Sequence, residues 1–586
     1  MKITFLICGD VGCLGNGSRE IYDRFRELKQ DWFEAKLTGC QGFCAAGPVI
    51  QLQPLNIFYQ KVKVSDIDEI IEKTRNNDVV ERLLFKDPQS RKRISETDRI
   101  PFYKHQKKLV LKTNGQIDPE SMEDYLGLGG YDGLRKALAL KPMDVVNEIC
   151  ESGLRGRGGG GFSTGRKWQS IHEAKSSTKY VLCNGDEGDP GAFMDRSIMQ
   201  GTPHSVLEGM IIAAYAVGAN LGYIYVRDEY PAAIKNLKKA ITDARSNGYL
   251  GKNILNSDFS FNINIKRGAG AFVCGESSAL MRSIEGKIGE PNEKYIHASE
   301  SGLWKKPSLL NNVETYANVP YIVLNGAKAF RELGTEGSPG TKVFSLVGKI
   351  KNAGLIEVEM GTTLRQVVYD IGGGILKDRP LKAVQTGGPS GGCIPEEHLD
   401  LPIDFDSLSR VGSMMGSGGM IVMDDCDCMV ELARYFTRFL MEESCGKCTP
   451  CREGLVQIYN ILERITQGQG KPGDIEDLEE LGEYISSSAL CGLGKSAPNP
   501  LMSTIRYFRN EYIDHIENKH CTAGVCKALT RFEIDPDKCR QCGACYRACV
   551  ADAVEQLEDG TYRIDPDRCI KCGECRLACN FNAIIW

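Results

Sequence analysis

The feature that most restricts this chain is a tandem run of cysteines near its C-terminal end. Cys539-x2-Cys542-x2-Cys545-x3-Cys549 recurs as Cys569-x2-Cys572-x2-Cys575-x3-Cys579, a period of 30 residues, and the flanks Phe532–Cys539 and Tyr562–Cys569 repeat with it. Three thiolates on one tight loop grip a face of an iron–sulfur cubane, and the fourth comes from the other repeat. The spacing therefore predicts one 4Fe–4S cluster on Cys539, Cys542, Cys545 and Cys579, and a second on Cys569, Cys572, Cys575 and Cys549. Zinc is the competing metal, but it favours paired two-cysteine knuckles. Val550 and Asn580 stand where a proline commonly follows the fourth cysteine, which bears on loop rigidity and not on ligation.

Cysteine usage extends well beyond the tail. Of 24 cysteines, sixteen fall into three spaced sets. Met1–Asp10 lacks the basic start and long apolar run of a secretion signal, so the expectation is a cytoplasmic protein whose clustered cysteines hold metal rather than disulfides. The second set is Cys445-x2-Cys448-x2-Cys451 with Cys491 in a glycine-flanked loop. It predicts a third 4Fe–4S cluster, Cys491 being the ligand that spacing fixes least; a zinc site is the alternative. In the third set, Cys8-x4-Cys13 and Cys40-x3-Cys44 place two pairs on separate loops, as a flat 2Fe–2S rhomb requires, with structural zinc the alternative. His515, His520, Cys521 and Cys526 lie close together before the tail. A zinc site using His520, Cys521 and Cys526 and unligated side chains are equally good readings of them. Most of the remaining cysteines, Cys150, Cys183, Cys274, Cys393, Cys426 and Cys428, read as buried small hydrophobes.

At 586 residues the chain exceeds one core. A net charge of −5 without a long basic stripe argues against nucleic acid, and apolar stretches such as Gly209–Ala219 fall short of the ~20 residues that span a bilayer. Residues 1–85 form a compact unit, with a strand at Ile3–Cys8 and an amphipathic helix at Ser18–Leu28. Residues 86–117 are charged and proline-punctuated, a linker. Strands and glycine-rich loops alternate with helices over 118–335, an α/β pattern. Residues 336–425 are strand-rich, 426–520 helical, and 521–586 hold the cysteine repeat.

Two glycine loops lie in the α/β region. Gly156-Arg157-Gly158-Gly159-Gly160-Gly161-Phe162 leads to Arg166-Lys167-Trp168, which adds cationic donors for phosphate. Gly268–Gly275 runs into a helix near Glu276, whose N-terminal amides suit a second phosphate. Between them, the acidic loop Asn184–Gly191 offers acceptors for ribose or ribityl hydroxyls. Each alone is weak, since glycine loops are often merely flexible and acidic loops merely solvated. Together they suggest two bound nucleotides.

Gly156–Trp168, Asn184–Arg196, Gly268–Gly286 and Leu309–Thr315, in this order, resemble the flavin-binding, NADH-oxidising subunit of respiratory complex I and its soluble relatives. Cys445–Cys451 with Cys491 is similar to that family's N3-type cluster, and the resemblance spans roughly residues 120–520. It implies an FMN site of Gly156, Arg157, Gly158, Lys167, Asn184, Asp186, Glu187, Gly275, Glu276, Asn311, Asn312 and Thr315. It implies NAD(H) over the flavin, near Gly159, Phe162, Asp189, Phe272 and Ser277. Hydride passes between nicotinamide and flavin without an obligatory side-chain acid or base, and Glu276 either tunes the flavin as a catalytic group or caps a helix. Ser277 stands where many respiratory members carry a second glutamate, and Tyr295-Ile296-His297 replaces their Pro-Pro-Phe, which leaves the details of NAD binding open. No motif identifies the group at the adenosine 2′ position, so NADP stays open beside NAD.

The implied fold is multidomain α/β and α+β. Its parts are a thioredoxin-like 2Fe–2S domain, a Rossmann-like FMN/NAD domain, a ubiquitin-like β-grasp domain, a helical-bundle 4Fe–4S domain and a two-cluster ferredoxin domain. This arrangement looks like the beta subunit of multimeric, often electron-bifurcating NAD-linked FeFe-hydrogenases. It implies a hetero-oligomer with a hydrogenase catalytic subunit, a small 2Fe–2S subunit and ferredoxin; related chains serve NAD-dependent formate dehydrogenases.

Overall fold

A computed structural model describes residues 2–88, 90–293 and 297–586. Tyr295 and Ile296, in the segment that departs from the respiratory pattern, lie outside the described residues. The chain divides into two compact units: 1–379 with 383–422 and 490–493, and 380–382 with 423–489 and 494–586.

The first unit begins with strands in the order Phe33–Thr38, Ile3–Cys8, Ile50–Gln53, Ile57–Tyr59. The first pair is parallel and the others antiparallel, a thioredoxin-like arrangement. Helix Ser18–Glu27 makes the parallel crossover, because Ile21 and Phe25, four residues apart, fall on one buried face. Phe25 packs on Phe5 with ring centroids 4.5 Å apart. Cys8 ends its strand, and Cys40 and Cys44 follow Phe33–Thr38.

The linker-like segment 86–117 folds as a strap. Phe102 stacks on Phe43 at 4.2 Å. The buried Glu357 carboxylate accepts from the backbone N–H groups of Leu109, Val110 and Leu111 at 2.9, 3.0 and 2.8 Å. Most of its charged residues thus face solvent while its apolar positions, with a buried carboxylate to satisfy the amides, hold it down.

Four parallel strands follow in the order Ser308–Asn312, Tyr180–Gly185, Leu221–Arg227, Asn262–Gly268. A parallel sheet needs both faces covered. Val181, Cys183 and Ile224 share a core with helix Pro203–Val217, whereas Leu182 and Tyr225 pack with Leu280 and Ile284 of helix Ser277–Ile284. Pro203–Val217 is apolar almost all round, starts on a proline and ends at Gly218 in the left-handed region (φ 74°). A mixed five-stranded sheet completes the unit, in the order Gly354–Glu359, Thr341–Gly348, Gly419–Asp424, Leu381–Thr386, Gly392–Pro395.

In the second unit, helices Met429–Glu442, Thr449–Thr466, Asp474–Ser488 and Asn499–Ile516 precede the tail. There Glu533–Ile534 pairs with Ile584–Ile585, and Val554–Gln556 with Tyr562–Ile564. The first ladder ties the start of one repeat to the end of the other. No helix among the described residues is long and apolar enough to cross a membrane.

Candidate active site and metal centres

The loops singled out in the sequence converge because three of them leave the carboxyl ends of the parallel strands, the edge where open α/β sheets bind ligands. Asn184 and Gly185 end one strand, Gly268 another and Asn312 a third. Asn184 Nδ2 donates to Gly275 O at 2.9 Å, joining two of these loops. Asn312 caps helix Val313–Asn325, accepting from Glu314 N at 2.9 Å, while its amide nitrogen donates to Asp195. Gly158 lies against Asn312 so closely that an added Cβ would sit 2.9 Å from the Asn312 Cβ. That contact explains a glycine there. Thr315 Oγ1 accepts from Arg157 N at 2.8 Å and fixes the glycine loop to the same helix. Asn311 is buried, accepting from Trp168 Nε1 at 3.0 Å, so it supports the strand end from beneath.

The donor set fits a phosphorylated flavin. Lys167 is pushed down by burial, and its ammonium makes one long hydrogen bond, 3.4 Å to Leu310 O. Thr164 Oγ1, at the start of the same helix, is buried without a hydrogen-bond partner. A desolvated cation beside an unpartnered hydroxyl at a helix N-terminus suits an anion. Phe162 is 69% exposed, a ring available for stacking, and Lys167 Nζ lies 5.7 Å from its centroid. Phe272 crowds Gly188, where a Cβ would come within 2.7 Å of its ring.

Several side chains are committed elsewhere. The Arg157 guanidinium is fully buried and donates to Thr341 O, Pro339 O and Arg155 O at 3.0, 2.7 and 2.8 Å. Its side chain is thereby committed to these carbonyl groups, which leaves its main chain to meet a ligand at the loop. Glu276 is the N-cap of helix Ser277–Ile284, accepting from Ser278 N at 2.8 Å, Ala279 N at 3.1 Å and Ser277 Oγ at 3.0 Å. That is the capping alternative, with Ser277 serving the cap. Glu187 accepts from Asp195 N and Arg196 N, both at 3.0 Å, and so caps helix Met194–Gly201; burial raises its carboxyl above the ordinary range. Asp186 lies 3.7 Å from the Arg227 guanidinium. Asp189 accepts from Ser417 Oγ at 2.6 Å, and burial pushes it up to about 6.

The third cysteine set is assembled. Cys8 is in hydrogen-bonding reach of Cys13 and Cys40, and Cys40 of Cys44. Donation from Cys13 and Cys40 pulls Cys8 well below the ordinary thiol range, while the contacts within the set push Cys13 and Cys40 up, so the four thiols share their protons as one group. In the tail, one cavity is lined by Cys539, Cys542, Cys545 and Cys579 but not Cys549. Cys549 Sγ and Cys579 Sγ accept from Ala553 N (3.2 Å) and Ala583 N (3.4 Å), positions related by the repeat. Cys569 and Cys572 lie in the other loop, where both act on Cys575, pushed up by burial to about 12. In the bundle, Ser444 Oγ lies 3.3 Å from Cys451 Sγ, and Cys445 and Cys448 precede the helix carrying Cys451. Cys491 is buried, and Gly494, three residues on, faces Cys451 Sγ, 3.7 Å from where a Cβ would stand.

The histidine–cysteine cluster differs from the sequence expectation. Cys428, His515, Cys521 and Cys526 are all buried, with ligand atoms within 4.8 Å of one another. His520 is not among them, because its Nε2 bonds Trp586 O at 3.0 Å. Cys428, which reads as a buried hydrophobe in sequence, replaces it. Cys428 Sγ is 3.8 Å from Cys526 Sγ and 3.4 Å from His515 Nε2. Zn–S bonds of ~2.3 Å in a tetrahedron put sulfurs about 3.8 Å apart. His515 Nδ1 bonds Glu511 O at 2.6 Å, the orientation that directs the Nε2 lone pair at a metal. No local signal identifies Cys428, which lies 87 residues from His515.

Three family models match: Nuo51 FMN-binding domain over 149–321, NADH-ubiquinone oxidoreductase-F iron-sulfur binding region over 431–515, and 4Fe-4S dicluster domain over 531–580. NADP-reducing hydrogenase subunit HndC of Solidesulfovibrio fructosivorans is 54% identical over 451 residues, 77% of this chain and 92% of that one. A relative from the NADH-quinone oxidoreductase of Rhizobium meliloti is 46% identical, covering 70% of this chain and 98% of its own. A crystal structure of an NAD+-reducing NiFe-hydrogenase in the H2-reduced state is similar with a TM-score of 0.63 and 29% identity, covering 88% of this chain and 84% of that one. The chain belongs to the Nuo51 flavoprotein family, the NAD(P)H dehydrogenase subunits that NADH-quinone oxidoreductases and hydrogenases share.

Proposed function

We propose that this chain exchanges electron pairs with NAD(H) at an FMN site and delivers single electrons through iron–sulfur clusters to a hydrogenase catalytic subunit and ferredoxin. FMN supplies the conversion between two-electron hydride transfer and one-electron steps. The observation that carries the reading is the convergence of the Gly156–Phe162, Asn184–Asp195, Gly268–Glu276 and Asn311–Thr315 segments through Asn184–Gly275, Asn312–Asp195 and Arg157–Thr315 hydrogen bonds. Gly156, Gly158, Lys167, Asn184, Asp186, Asn312 and Thr315 hold the flavin; Phe162 and Phe272 flank the nicotinamide. Glu276 and Glu187 position loops as caps rather than carrying protons.

One 2Fe–2S cluster on Cys8, Cys13, Cys40 and Cys44 and three 4Fe–4S clusters complete the circuit, with Cys491 the fourth ligand beside Cys445, Cys448 and Cys451. The five-stranded sheet reads as β-grasp. Zinc on Cys428, His515, Cys521 and Cys526 staples the bundle to the start of the ferredoxin tail. Anaerobically purified protein should contain close to one zinc per chain, and His515→Ala with Cys526→Ser should lose it while keeping its iron. Metal analysis showing no zinc, or iron at that site, rejects the staple.

The decisive test is flavin release. Acid-denatured protein should yield FMN, and NADH should bleach the flavin absorbance of the native chain. Protein with neither property sinks the reading. NADPH belongs in the same assay, because Ser277 occupies the usual glutamate position and the 54%-identical relative is named for NADP. Hydrogen is favoured over formate by that relative's name; co-purification with assays on both substrates decides the partner.

Asp189 gives this site a pH signature. Burial disfavours its charge, so folding stability from this group is present at low pH and falls as pH rises through about 6. Ionised Asp189 is the better acceptor for nucleotide hydroxyls, so nucleotide affinity should rise through the same pH. Isothermal titration from pH 5 to 8 should show this inflection, and Asp189→Asn should abolish it.

A further inference from the structure

The thioredoxin-like module is joined to the flavin loop through a buried polar seam that the electron-transfer reading does not use. Helix Met194–Gly201 forms its centre. At one end Glu187 of the acidic loop accepts from the Asp195 and Arg196 amides. At the other, Gln200 Nε2 donates to Gly9 O at 3.2 Å. Between them, Ser197 Oγ donates to Asp10 Oδ2 at 3.4 Å, and Arg196 Nη2 lies 3.6 Å from Asp10 Oδ1. The contact is tight: Asn114 is wedged between Gly39 and Gly201, where an added Cβ would come 2.1 and 1.6 Å from its Oδ1. The seam therefore has no room for alternative docking of the two domains.

Asp10 reaches the cysteine loops directly. Its N–H donates to Cys8 Sγ, and its carboxylate is in hydrogen-bonding reach of Cys40. The Arg196 guanidinium is the cation facing Asp10, and it also acts on Glu187. Its planar group lies 5.4 Å from the Phe193 ring and 5.8 Å from the Tyr230 ring, and its Nε is buried. Tyr230 OH donates to Glu187 O at 2.8 Å, so the aromatic wall belongs to the flavin loop as well. The Asp10 side chain is 8% exposed and that of Arg196 24%, so the pair acts at a lower effective dielectric than in water.

We infer that Arg196 is a positioning residue shared by the flavin loop and the N-terminal cluster, and that its charge raises the reduction potential of the cluster held by Cys8, Cys13, Cys40 and Cys44. A cluster that gains one electron gains one negative charge, which a fixed nearby cation stabilises. Asp10 acts in the opposite sense, and the pair sets the balance. The inference rests on the 2Fe–2S reading of those four cysteines.

The test is an anaerobic redox titration of the full chain followed by electron paramagnetic resonance. The 2Fe–2S and 4Fe–4S signals relax differently and are read in one sample. Arg196→Gln should lower the 2Fe–2S midpoint by about tenfold in the one-electron equilibrium, about 59 mV. Arg196→Lys should retain most of it, and Asp10→Asn should raise it. The tail 4Fe–4S midpoints should stay in place in all three, which a general loss of structure would not allow. An unmoved 2Fe–2S midpoint in Arg196→Gln, or an equal drop in Arg196→Lys, overturns the inference. If Arg196→Gln fails to hold the cluster, an Asp10→Asn midpoint that does not rise overturns it instead. A wild-type chain without any 2Fe–2S signal removes the underlying reading, and the inference with it.

Discussion

Glu314→Gln should destabilise the first unit by about 3–5 kcal/mol, the cost of removing one partner from a buried ion pair. Lys342 and Glu314 are paired with side-chain exposures of 0% and 1%. Lys342 Nζ also donates to Val343 O and Ser417 O, both at 2.7 Å, and Glu314 accepts from Val343 N at 2.9 Å. The pair thus links the helix capped by Asn312 to strand Thr341–Gly348 of the five-stranded sheet. Glutamine fills the same space but leaves an ammonium without a counter-charge in a dry interior. Because Glu314 adjoins Thr315, flavin content should fall with stability. Anaerobic urea titration followed by flavin fluorescence measures both. The double variant Glu314→Leu, Lys342→Met should recover most of the loss, since it removes both charges together. Superimposable unfolding curves for Glu314→Gln and wild type would falsify the account.

The second large effect concerns the tail. Cys579→Ala should eliminate the cluster gripped by Cys539, Cys542 and Cys545, although Cys579 lies in the other repeat. Cys549→Ala should eliminate the cluster on Cys569, Cys572 and Cys575. The cavity lined by Cys539, Cys542, Cys545 and Cys579, together with the Glu533–Ile534 ladder to Ile584–Ile585, supports this crossed assignment. The two clusters are distinguishable by first removing Cys542 or Cys572 alone. Iron content should drop by about four atoms per chain in each single variant. If Cys579→Ala instead mimics Cys572→Ala, the repeats ligate independently.

What was legible in the sequence follows the distance over which each interaction acts. Cluster cysteines sit a few residues apart because one loop must wrap a metal face, so spacing alone exposes Cys539–Cys549, Cys569–Cys579 and Cys445–Cys451. The strand Ile3–Cys8 and the helix beginning at Ser18 appear where their apolar periodicity places them. The segment 86–117 misleads because its charges dominate its composition, while a few residues such as Phe102 and Val110 do the anchoring. Composition reports solvent exposure, and anchoring depends on the partner surface.

Residue roles at the flavin site show the same division. A Gly-x-Gly pattern marks where backbone comes close, and the fold supplies the reason at Gly158, namely the Asn312 side chain. The pattern is silent on where Arg157 points, and the fold commits its guanidinium to three carbonyl groups. Glu276 has two readings in the motif, flavin tuning and capping, and the fold shows its carboxylate accepting from the Ser278 and Ala279 amides.

The sequence by itself determined the chemistry: thiolates spaced for clusters, glycine loops before helices, and asparagines at a strand end. Ligand spacing within a loop is a local property of the covalent chain, so it can be read without a fold. Only the tertiary structure decided which distant groups share a site. It brought Cys428 to His515 and Cys526 in place of His520, and Arg196 to Asp10. Such pairs are chosen by packing that buries both partners together, and packing across scores of residues leaves no periodic trace in the chain.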